Sequence, residues 1–297
     1  MASFFVAEGL PYRLLGGGTG NHDMEKSTGR SDWVLRSPEQ GRVERIEAYF
    51  SGHGYDPHRH DSYAIGRTLA GVQSFRYRRA MRHSLPGGTL VLHPDELHDG
   101  MAGTDAGFHY RMLYIDPVLI QQVLGGQPLP FIQGGLSDDA RLRGATESFM
   151  QAMDHPLEAL EEDDAIFDLA HALQAVAGKP RGRRAFDYPA TQRAREYIHS
   201  RNGASITLEE LEQVSGRDRW SLSRDFRALF GTSPYRYVTM RRLARCRELA
   251  LSGIGLADAA LIAGFFDQSH MTRHFVASFG LSPARWLSMV KLQDRTR

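Results

Sequence analysis

Cysteine is nearly absent from this chain, which has 297 residues and one cysteine, Cys246. A single thiol cannot form an internal disulfide, and it cannot supply the several thiolates of a structural zinc site. Cys246 falls within a helical pattern, so a packing role is predicted for it. The single thiol therefore excludes a disulfide framework within the chain and a cysteine-ligated metal site.

Long apolar runs are also missing. The chain has no stretch of 18 apolar residues, and its N-terminus lacks a basic segment followed by an apolar one. Neither a membrane-spanning helix nor a secretory signal is predicted. We therefore expect a cytoplasmic protein with no membrane partner.

The whole chain lacks a strong excess of either charge, because its formal net charge is +1. From Arg181 onward, however, 20 Lys and Arg residues stand against 11 Asp and Glu residues, a balance of +9. The preceding residues carry 16 basic and 24 acidic side chains, a balance of −8. A basic C-terminal part is suited to binding a polyanion such as DNA, and an acidic N-terminal part is not.

A repeated segment near the C-terminus is the strongest feature that is present. Residues 224–234 and 273–283 both match R-x-F-x-x-x-F-G-x-S-P, at an offset of 49 residues. A repeat of this kind indicates a duplicated supersecondary unit. In each copy the glycine is a predicted helix C-cap, and the Ser-Pro pair is the predicted start of the next helix.

Each copy has the pattern of the second helix of a helix-turn-helix unit. Apolar stripes are predicted to seat the two helices on their cores: Trp220, Leu222, Phe226, Leu229 and Phe230, then Met271, Phe275 and Phe279. The open faces carry cations and short hydrogen-bonding groups, which can contact base edges and phosphates. The predicted DNA-binding residues are Arg219, Trp220, Ser221 and Arg224 in the first copy and Gln268, Ser269, His270 and Arg273 in the second.

Helices are also predicted before and between the two copies. Thr207 and Glu210 form a capping-box pattern at the start of a positioning helix. Residues 234–252 predict one long helix, which would fix the two units relative to each other.

This region resembles the DNA-binding domain of the AraC/XylS family of bacterial transcription regulators. The matching residues are L-S-R-D-F-R-A-L-F-G-T-S-P, A-G-F-F-D-Q-S-H-M-T-R-H-F and F-G-L-S-P, and the resemblance covers residues 187–290. Met271 stands where an aromatic residue is usual, and Trp286 where Tyr is usual. The resemblance implies double-stranded DNA, a small-molecule effector, a second copy of the chain and RNA polymerase as partners, with no enzymatic activity.

Residues 43–117 have the pattern of short strands separated by Gly and Pro. Predicted strands are residues 45–50, 63–69, 72–77, 89–92 and 110–115. Many short strands at this spacing predict a small antiparallel barrel or jelly roll.

Two segments of this region, P-H-R-H-D-S-Y (57–63) and L-P-G-G-T-L-V-L-H-P-D-E-L-H (85–98), resemble the motifs of cupin barrels and of AraC-family sensor domains. Residues i and i+2 of a strand share a face, so His58 and His60 are expected to point the same way and to meet His98. The predicted effector-binding residues are His58, His60, Tyr63 and His98, with Arg67 and Tyr110 as further candidates. Such groups would suit a polar or anionic small molecule.

Three imidazoles at this spacing also suit a zinc or non-haem iron site. The metal-binding cupin pattern has Glu four residues after its second His, whereas this chain has Ala64. Two interpretations stay open: the histidines hold a metal alone, or they are hydrogen-bonded in the barrel mouth or contact an organic ligand. We adopt the second, which predicts no metal and no cofactor.

Two amphipathic helices are predicted after the barrel, at residues 137–154 and 156–177. In the resembling family, helices at this place form a dimer interface, so a homodimer is expected. The alternative is that they only cover the barrel.

The predicted fold is α+β, with a cupin-like β-barrel, two following helices, and an all-α domain of two helix-turn-helix units joined by a long helix. The predicted parts are an N-terminal arm (1–40), an effector-binding and dimerisation domain (41–178), a linker (179–188) and a DNA-binding domain (189–297). The predicted function is effector-dependent transcription regulation. The alternatives are a cupin-type metalloenzyme with a DNA-binding appendage, and an effector-independent DNA-binding protein with a purely dimerising barrel.

Overall fold

The computed structural model describes residues 32–37, 42–151, 153–178, 185–201 and 206–294. Most of the expected arm (1–40) and most of the expected linker (179–188) lie outside these residues. Within them, no helix is both long enough and apolar enough to cross a membrane.

The N-terminal part is a barrel of two antiparallel sheets. Its strands are β1 (Trp33–Arg36), β2 (Val43–Phe50), β3 (His53–His58), β4 (Tyr63–Gly71), β5 (Gln73–Tyr77), β6 (Ala80–Ser84), β7 (Thr89–Leu92), β8 (His98–Ala102), β9 (Phe108–Ile115) and β10 (Leu136–Ser137). The larger sheet has the order β1-β2-β9-β4-β7-β10, and the smaller has the order β3-β8-β5-β6. All five of these predicted strands are confirmed within one or two residues, and the strand expected at His58 and His60 is β3, which ends at His58. Strands β1, β6, β8 and β10 were not predicted.

Side chains of the larger sheet alternate between two apolar cores. Along β9, Phe108, Tyr110 and Met112 face the barrel interior, while Leu113 and Ile115 face a second core outside it. This alternation follows from the two-residue period of a strand. It explains why both faces of this sheet are apolar.

Helices cover the outer face of the larger sheet. They are α1 (Pro117–Leu124), α2 (Ala140–Ser148) and α3 (Ala159–Ala177). Leu142, Phe149, Leu169 and Leu173 of this layer are fully buried against the sheet. Two of the helices lie within the predicted ranges, but α1 was not predicted, although Asp116 caps it and Pro117 begins it.

The C-terminal part is helical. Its elements are α4 (Tyr188–Ser200), α5 (Leu208–Ser215), α6 (Arg219–Phe230), α7 (Pro234–Leu251), α8 (Leu256–Ile262), α9 (Gln268–Phe279) and α10 (Pro283–Asp294). Two helix-turn-helix units, α5–α6 and α8–α9, flank the long helix α7. The predicted α+β fold is thus confirmed, including the single helix between the units.

Local signals at the helix ends have the predicted geometry. Thr207 and Glu210 form both bonds of a capping box at the start of α5. Gly231 and Gly280 end α6 and α9 in the left-handed conformation, with φ of 75° and 71°. Such a φ favours glycine because it has no Cβ.

Trp220 is the exception among the predicted seating residues. Its side chain is 79% exposed, whereas Leu222, Phe226, Leu229 and Phe230 are buried. At 100° per residue, position 220 lies on the opposite side of α6 from the centre of that stripe. The prediction that Trp220 seats the helix is therefore wrong, and its ring instead faces solvent beside the predicted DNA-binding residues.

Candidate functional site

Three of the predicted effector-binding residues meet at one end of the barrel. His58 ends β3, His98 begins β8, and His60 lies in the loop after β3. Ring centroids are 4.5 Å apart for His58–His98 and 4.7 Å for His60–His98. The expected strand geometry is wrong in one respect, because the strand stops before His60 and the loop brings it to the others.

Each histidine ring is oriented by a hydrogen bond from Nδ1 to a backbone carbonyl two residues away. The acceptors are Asp56 O for His58 (2.8 Å), Ser62 O for His60 (2.7 Å) and Glu96 O for His98 (2.9 Å). Since a carbonyl oxygen can only accept, each Nδ1 carries the proton and each Nε2 has a free lone pair. The three rings thus present the same tautomer.

Ring nitrogens of the three histidines lie close together. One ring nitrogen from each of His58, His60 and His98 lies within 4.8 Å of the others. The Nε2 atom of His60 is buried and has no hydrogen-bond partner among the described residues. A buried acceptor without a donor is uncommon and calls for an explanation, such as a bound ligand or ion.

Burial lowers the pKa of all three imidazoles. It lowers the pKa of His60 to about 4, with a smaller contribution from the neighbouring His58. Burial also holds the pKa of His98 well below its usual value, with His58 and His60 adding to the effect. The pKa of His58 is lowered for the same main reason. The rings are therefore neutral at physiological pH, as acceptors and metal ligands must be.

The remaining candidates of the pocket lie elsewhere. Tyr63 is on the outer face of β4, fully buried, and its hydroxyl donates to Pro130 O at 2.7 Å. Arg67 forms an ion pair with Glu147 of α2. Tyr110 faces the barrel interior in a stack of aromatic rings. The structure brings none of these three to the histidine cluster.

The polar end of α6 carries the first group of predicted DNA-binding residues. Asp218 caps the helix, and Trp220 and Ser221 follow in its first turn. Arg219 pairs with Glu212 at 3.1 Å and with Glu209 at 3.3 Å, both on α5. Arg224 pairs with the buried carboxylate of Asp225 at 2.7 Å. Arg219 and Arg224 are thus held by acidic side chains of their own unit.

The polar end of α9 carries the second group. Asp267 caps this helix by accepting from the backbone N–H of His270 at 2.6 Å. Gln268, Ser269 and Arg273 are exposed. These residues stand at positions equivalent to those of α6, since the offset of 49 residues aligns Arg219 with Gln268 and Arg224 with Arg273. The second unit therefore carries different hydrogen-bond donors at equivalent positions of its recognition helix.

Phe266 is a surface feature that the sequence interpretation missed. Its ring is 84% exposed immediately before the cap of α9. Its neighbour Phe265 is buried in the core of the second unit. The paired Phe-Phe pattern could have indicated that one of the two rings must face solvent.

Contacts between the barrel and the helical part are a second feature beyond the sequence interpretation. Asp61, one residue after His60, pairs with Arg241 of α7. Asp95 pairs with Arg236 of α7 at 2.6 Å and accepts from Thr232 at 3.1 Å. These partners are more than 130 residues apart in the chain, so no local pattern could reveal them.

Both recognition helices also end against the barrel. A methyl group placed on Gly231 would lie 2.7 Å from Pro94, and one on Gly280 would lie 3.6 Å from Asp56 and 3.9 Å from His58. Strand β3, which carries His58, packs against α9. The histidine cluster therefore borders the contact with the second helix-turn-helix unit.

Comparison with known proteins identifies both parts of the chain. A model described as the AraC-like ligand binding domain matches residues 40–175, and a model described as a helix-turn-helix domain matches residues 211–289. A curated relative, the uncharacterized HTH-type transcriptional regulator YbfI of Bacillus subtilis strain 168, is 23% identical over 235 residues, covering 76% of this chain and 86% of the relative.

Solved structures share the whole arrangement. The crystal structure of ToxT from Vibrio cholerae O395 has a TM-score of 0.55 and 12% identity, covering 86% of this chain and 97% of ToxT. Wild-type ToxT from strain SCE256 with a bound unsaturated fatty acid also has a TM-score of 0.55, at 13% identity, covering 90% and 98% of the two chains. The chain thus joins an AraC-like ligand binding domain to a helix-turn-helix domain, which is the domain composition of an AraC-like DNA-binding transcription regulator.

Proposed function

We propose that a small ligand bound at His58, His60 and His98 controls how the helix-turn-helix units are presented to DNA. The observation that carries this proposal is the shared border: β3 and the loop after it hold two of the histidines and also contact the helical part. Asp56 and His58 lie against the end of α9, and Asp61 pairs with Arg241 of α7. A ligand that moves this edge would therefore change contacts with both helices.

The coupling required is small. A difference of about 1–3 kcal/mol between two domain arrangements changes occupancy of a DNA site several-fold or more. Loss or gain of one partly buried ion pair between domains, such as Asp61–Arg241, is an effect of this order. We assign sensing to residues 41–178 and DNA binding to residues 189–297.

On DNA, α6 and α9 are proposed to enter successive major grooves on one face of the duplex. Helix α7 runs unbroken from Pro234 to Leu251 and has side chains in the cores of both units. It therefore supports a fixed separation of the two recognition helices. Major grooves on one face lie roughly 34 Å apart, or about 10 bp.

The outer face of α3 is the surface that we propose for dimerisation. Leu160 is 74% exposed and Phe167 is 55% exposed there, although the inner face of the same helix is buried on the barrel. Exposed apolar side chains on one helix face suit a contact with an identical helix. We further propose that the dimer acts in the cytoplasm and contacts RNA polymerase when bound beside a promoter.

The unsaturated fatty acid bound to ToxT, which shares this fold, supports a small-molecule ligand for the present chain. For the present chain we propose a smaller occupant at the histidine end. The barrel interior is filled by Phe50, Phe75, Phe108 and Tyr110, each at most 3% exposed. That packing leaves the imidazoles as the polar groups that a ligand at this end of the barrel would contact.

The test uses the full chain and DNA selected from a random pool, first without and then with a metabolite extract. We expect the extract to change the affinity for the selected DNA. Asp61→Asn should reduce this change while leaving DNA binding itself intact, because the substitution alters the contact between the domains and not the DNA-binding surface. Arg245→Gln, which affects a pair with Glu248 within α7, is the matched control and should respond like wild type.

A wild-type response from Asp61→Asn would show that the interdomain pair carries no signal. Failure to select any DNA would instead contradict the DNA-binding assignment of α6 and α9. The two results are separate, because the selection step precedes the addition of the extract.

A further inference from the structure

We propose that His58, His60 and His98 form a binding site for a divalent first-row transition-metal ion of the kind that prefers imidazole nitrogen, such as Zn²⁺. The site would use three neutral Nε2 atoms and leave at least one coordination position open. This proposal goes beyond the sequence interpretation, which favoured a site without metal.

The hydrogen bonds of the cluster point to metal coordination. All three Nδ1 atoms are committed to backbone carbonyls, at 2.7–2.9 Å. In metal sites, a ligating histidine commonly donates its other ring N–H to a carbonyl or carboxylate, which fixes the tautomer and aims the lone pair. Here the same arrangement occurs three times around one point, and it is produced by two separate backbone segments, residues 56–62 and 96–98.

The spacing of the nitrogens is close to that of a metal site. Three nitrogens bound at about 2.1 Å to a tetrahedral ion are roughly 3.4 Å from one another. The described structure has one nitrogen from each ring within 4.8 Å of the others. Small rotations about the χ angles of His58, which is only half-buried, would close the difference.

A water molecule satisfies the three acceptor nitrogens of this cluster less completely than a cation does. Water can donate two hydrogen bonds, whereas the cluster presents three lone pairs. His60 Nε2 is already buried without a partner, and Tyr55, whose hydroxyl accepts from Gln73, faces His58 and His98 edge-on. One cation satisfies all three acceptors at once. Three imidazole ligands suit Zn²⁺, Cu²⁺, Ni²⁺ and Fe²⁺.

Metal binding would also act on the DNA-binding part, and this step rests on the function proposed above. Drawing the three rings together moves the end of β3, because His58 is its last residue. That end lies beside Gly280, the C-cap of α9. Metal occupancy is therefore expected to change how the second unit sits on the barrel.

The test of the site uses the full chain, stripped of metal with a chelator and then titrated with Co²⁺ and with Zn²⁺. We expect one tightly bound ion per chain and a visible Co²⁺ spectrum of a nitrogen-ligated, four- or five-coordinate centre. Thiolate charge-transfer bands should be absent, since the single cysteine, Cys246, is buried in the helical part. No stoichiometric binding of either ion would overturn the proposal.

Variants locate the site. Removing a metal ligand should weaken binding by more than about 100-fold, since loss of even an outer partner commonly costs 10–100-fold. We expect this for His60→Ala and His98→Ala. His58→Gln, at the half-buried rim, provides a substitution that disturbs the core least, should either buried variant fail to fold. Binding that persists in the folded variants would overturn the assignment.

A second pair of imidazoles provides the control. His270 and His274 of α9 approach within 3.1 Å between their Nε2 atoms and could bind a metal adventitiously. His274→Ala should leave both the stoichiometry and the Co²⁺ spectrum unchanged. Loss of binding in this variant would move the site to α9 and contradict the proposal.

DNA affinity measured with and without one equivalent of Zn²⁺ separates the two parts of the inference. A severalfold change that is abolished by His58→Gln supports the regulatory step. If metal binds but DNA affinity is unchanged, the metal site is supported and its proposed effect on DNA binding is contradicted. If the protein binds no ion and its DNA affinity does not depend on Zn²⁺, the DNA-binding function is supported and the metal site is contradicted.

Discussion

The two helix-turn-helix units share one backbone arrangement but differ in the side chains on their polar faces. Both recognition helices begin at an Asp cap, Asp218 or Asp267, and both end at a left-handed glycine, Gly231 or Gly280. In the first unit the aligned arginines are paired with Glu209, Glu212 and Asp225, as described above. In the second unit Gln268 and Arg273 are exposed, and Asp225 is replaced by His274. A repeated fold therefore does not imply a repeated contact surface.

The units also differ in how they meet the barrel. The core of the first unit includes Val118 of α1, and Leu129 N–H donates to Ala228 O of α6 at 2.8 Å. The core of the second unit is formed by residues of the helical part alone, from Met240 to Trp286. Its contact with the barrel is at β3, beside the histidine cluster. The first unit is thus anchored on the barrel, and the second contacts the barrel beside the proposed ligand site.

The largest expected effect comes from adding a methyl group to the C-cap glycine of the first unit. Gly231→Ala would place the methyl 2.7 Å from Pro94, whereas Gly280→Ala would meet only ordinary contacts. Both positions have nearly the same φ, so the left-handed strain of ~1–2 kcal/mol is shared. Overpacking should add roughly 1–3 kcal/mol at Gly231 alone. Denaturation monitored by hydrogen exchange in α6 and around Pro94 would measure the difference.

Gly280→Ala is the matched control for that comparison. Equal destabilisation of the two variants would mean that the first unit is not anchored through its C-cap. Preferential loss of protection at α9 would reverse the assignment of which unit is fixed.

A change in DNA spacing tests whether both units engage at once. Because α7 holds the units at a fixed separation, each chain should need two short sub-sites one helical turn apart. An insertion of about 5 bp turns the second groove to the far side of the duplex. We expect affinity to fall by about 100-fold, a modest part of the usual gap between specific and non-specific binding. Fluorescence anisotropy on selected DNA measures it.

An insertion that leaves affinity intact would mean that only one unit contacts DNA. Selected DNA that contains a single sub-site would lead to the same conclusion. With either outcome, the two units would differ in whether they bind DNA, and not only in which bases they contact.

Local signals explain how much of this fold is predictable from sequence. The capping box of Thr207 and Glu210 and the Ser-Pro starts of α7 and α10 depend on neighbouring residues, so they were predicted. Strands such as β6 (A-M-R-H-S) were missed because their side chains are mostly polar and half-exposed. Trp220 was misplaced because residues near the start of a helix are easily assigned to the wrong face when the stripe is short.

The candidate site was predictable in part. His58, His60 and His98 were found because their spacing resembles a known motif, even though His60 proved to lie in a loop. Tyr63 was grouped with them because it belongs to the same resembling segment, residues 57–63, but the two-residue period of β4 turns it to the outer core. The ion pair between Asp61 and Arg241 joins residues 180 apart, which only the folded chain brings together.

Substitutions at equivalent positions of α6 and α9 test whether the two recognition helices contact DNA differently. Gln268→Ala should relax the base preference in one sub-site by about 1–3 kcal/mol, since an amide can pair bidentately with adenine. Arg219→Ala should act at the other sub-site and, if its guanidinium contacts phosphate, weaken all sequences alike. Affinities for a panel of single-base variants measure both. Identical profiles for the two substitutions would contradict distinct roles.

The smallest expected effect concerns the acidic side chains that hold Arg219. The Arg219–Glu212 pair is open to solvent, which screens it, so it contributes little to the stability of the free chain. Glu212 also places a negative charge beside the proposed phosphate contact. Glu212→Gln should therefore raise DNA affinity by roughly two- to fivefold at low salt, and by less at high salt because the repulsion it removes is screened. The amide oxygen can still accept from the Arg219 backbone N–H, so the start of α6 is preserved. Glu248→Gln, paired with Arg245 on α7, is the matched control and should have no such effect. If Glu212→Gln instead lowers affinity, the carboxylate orients Arg219 toward the DNA, and the pairing in the first unit is a means of positioning and not of restraint.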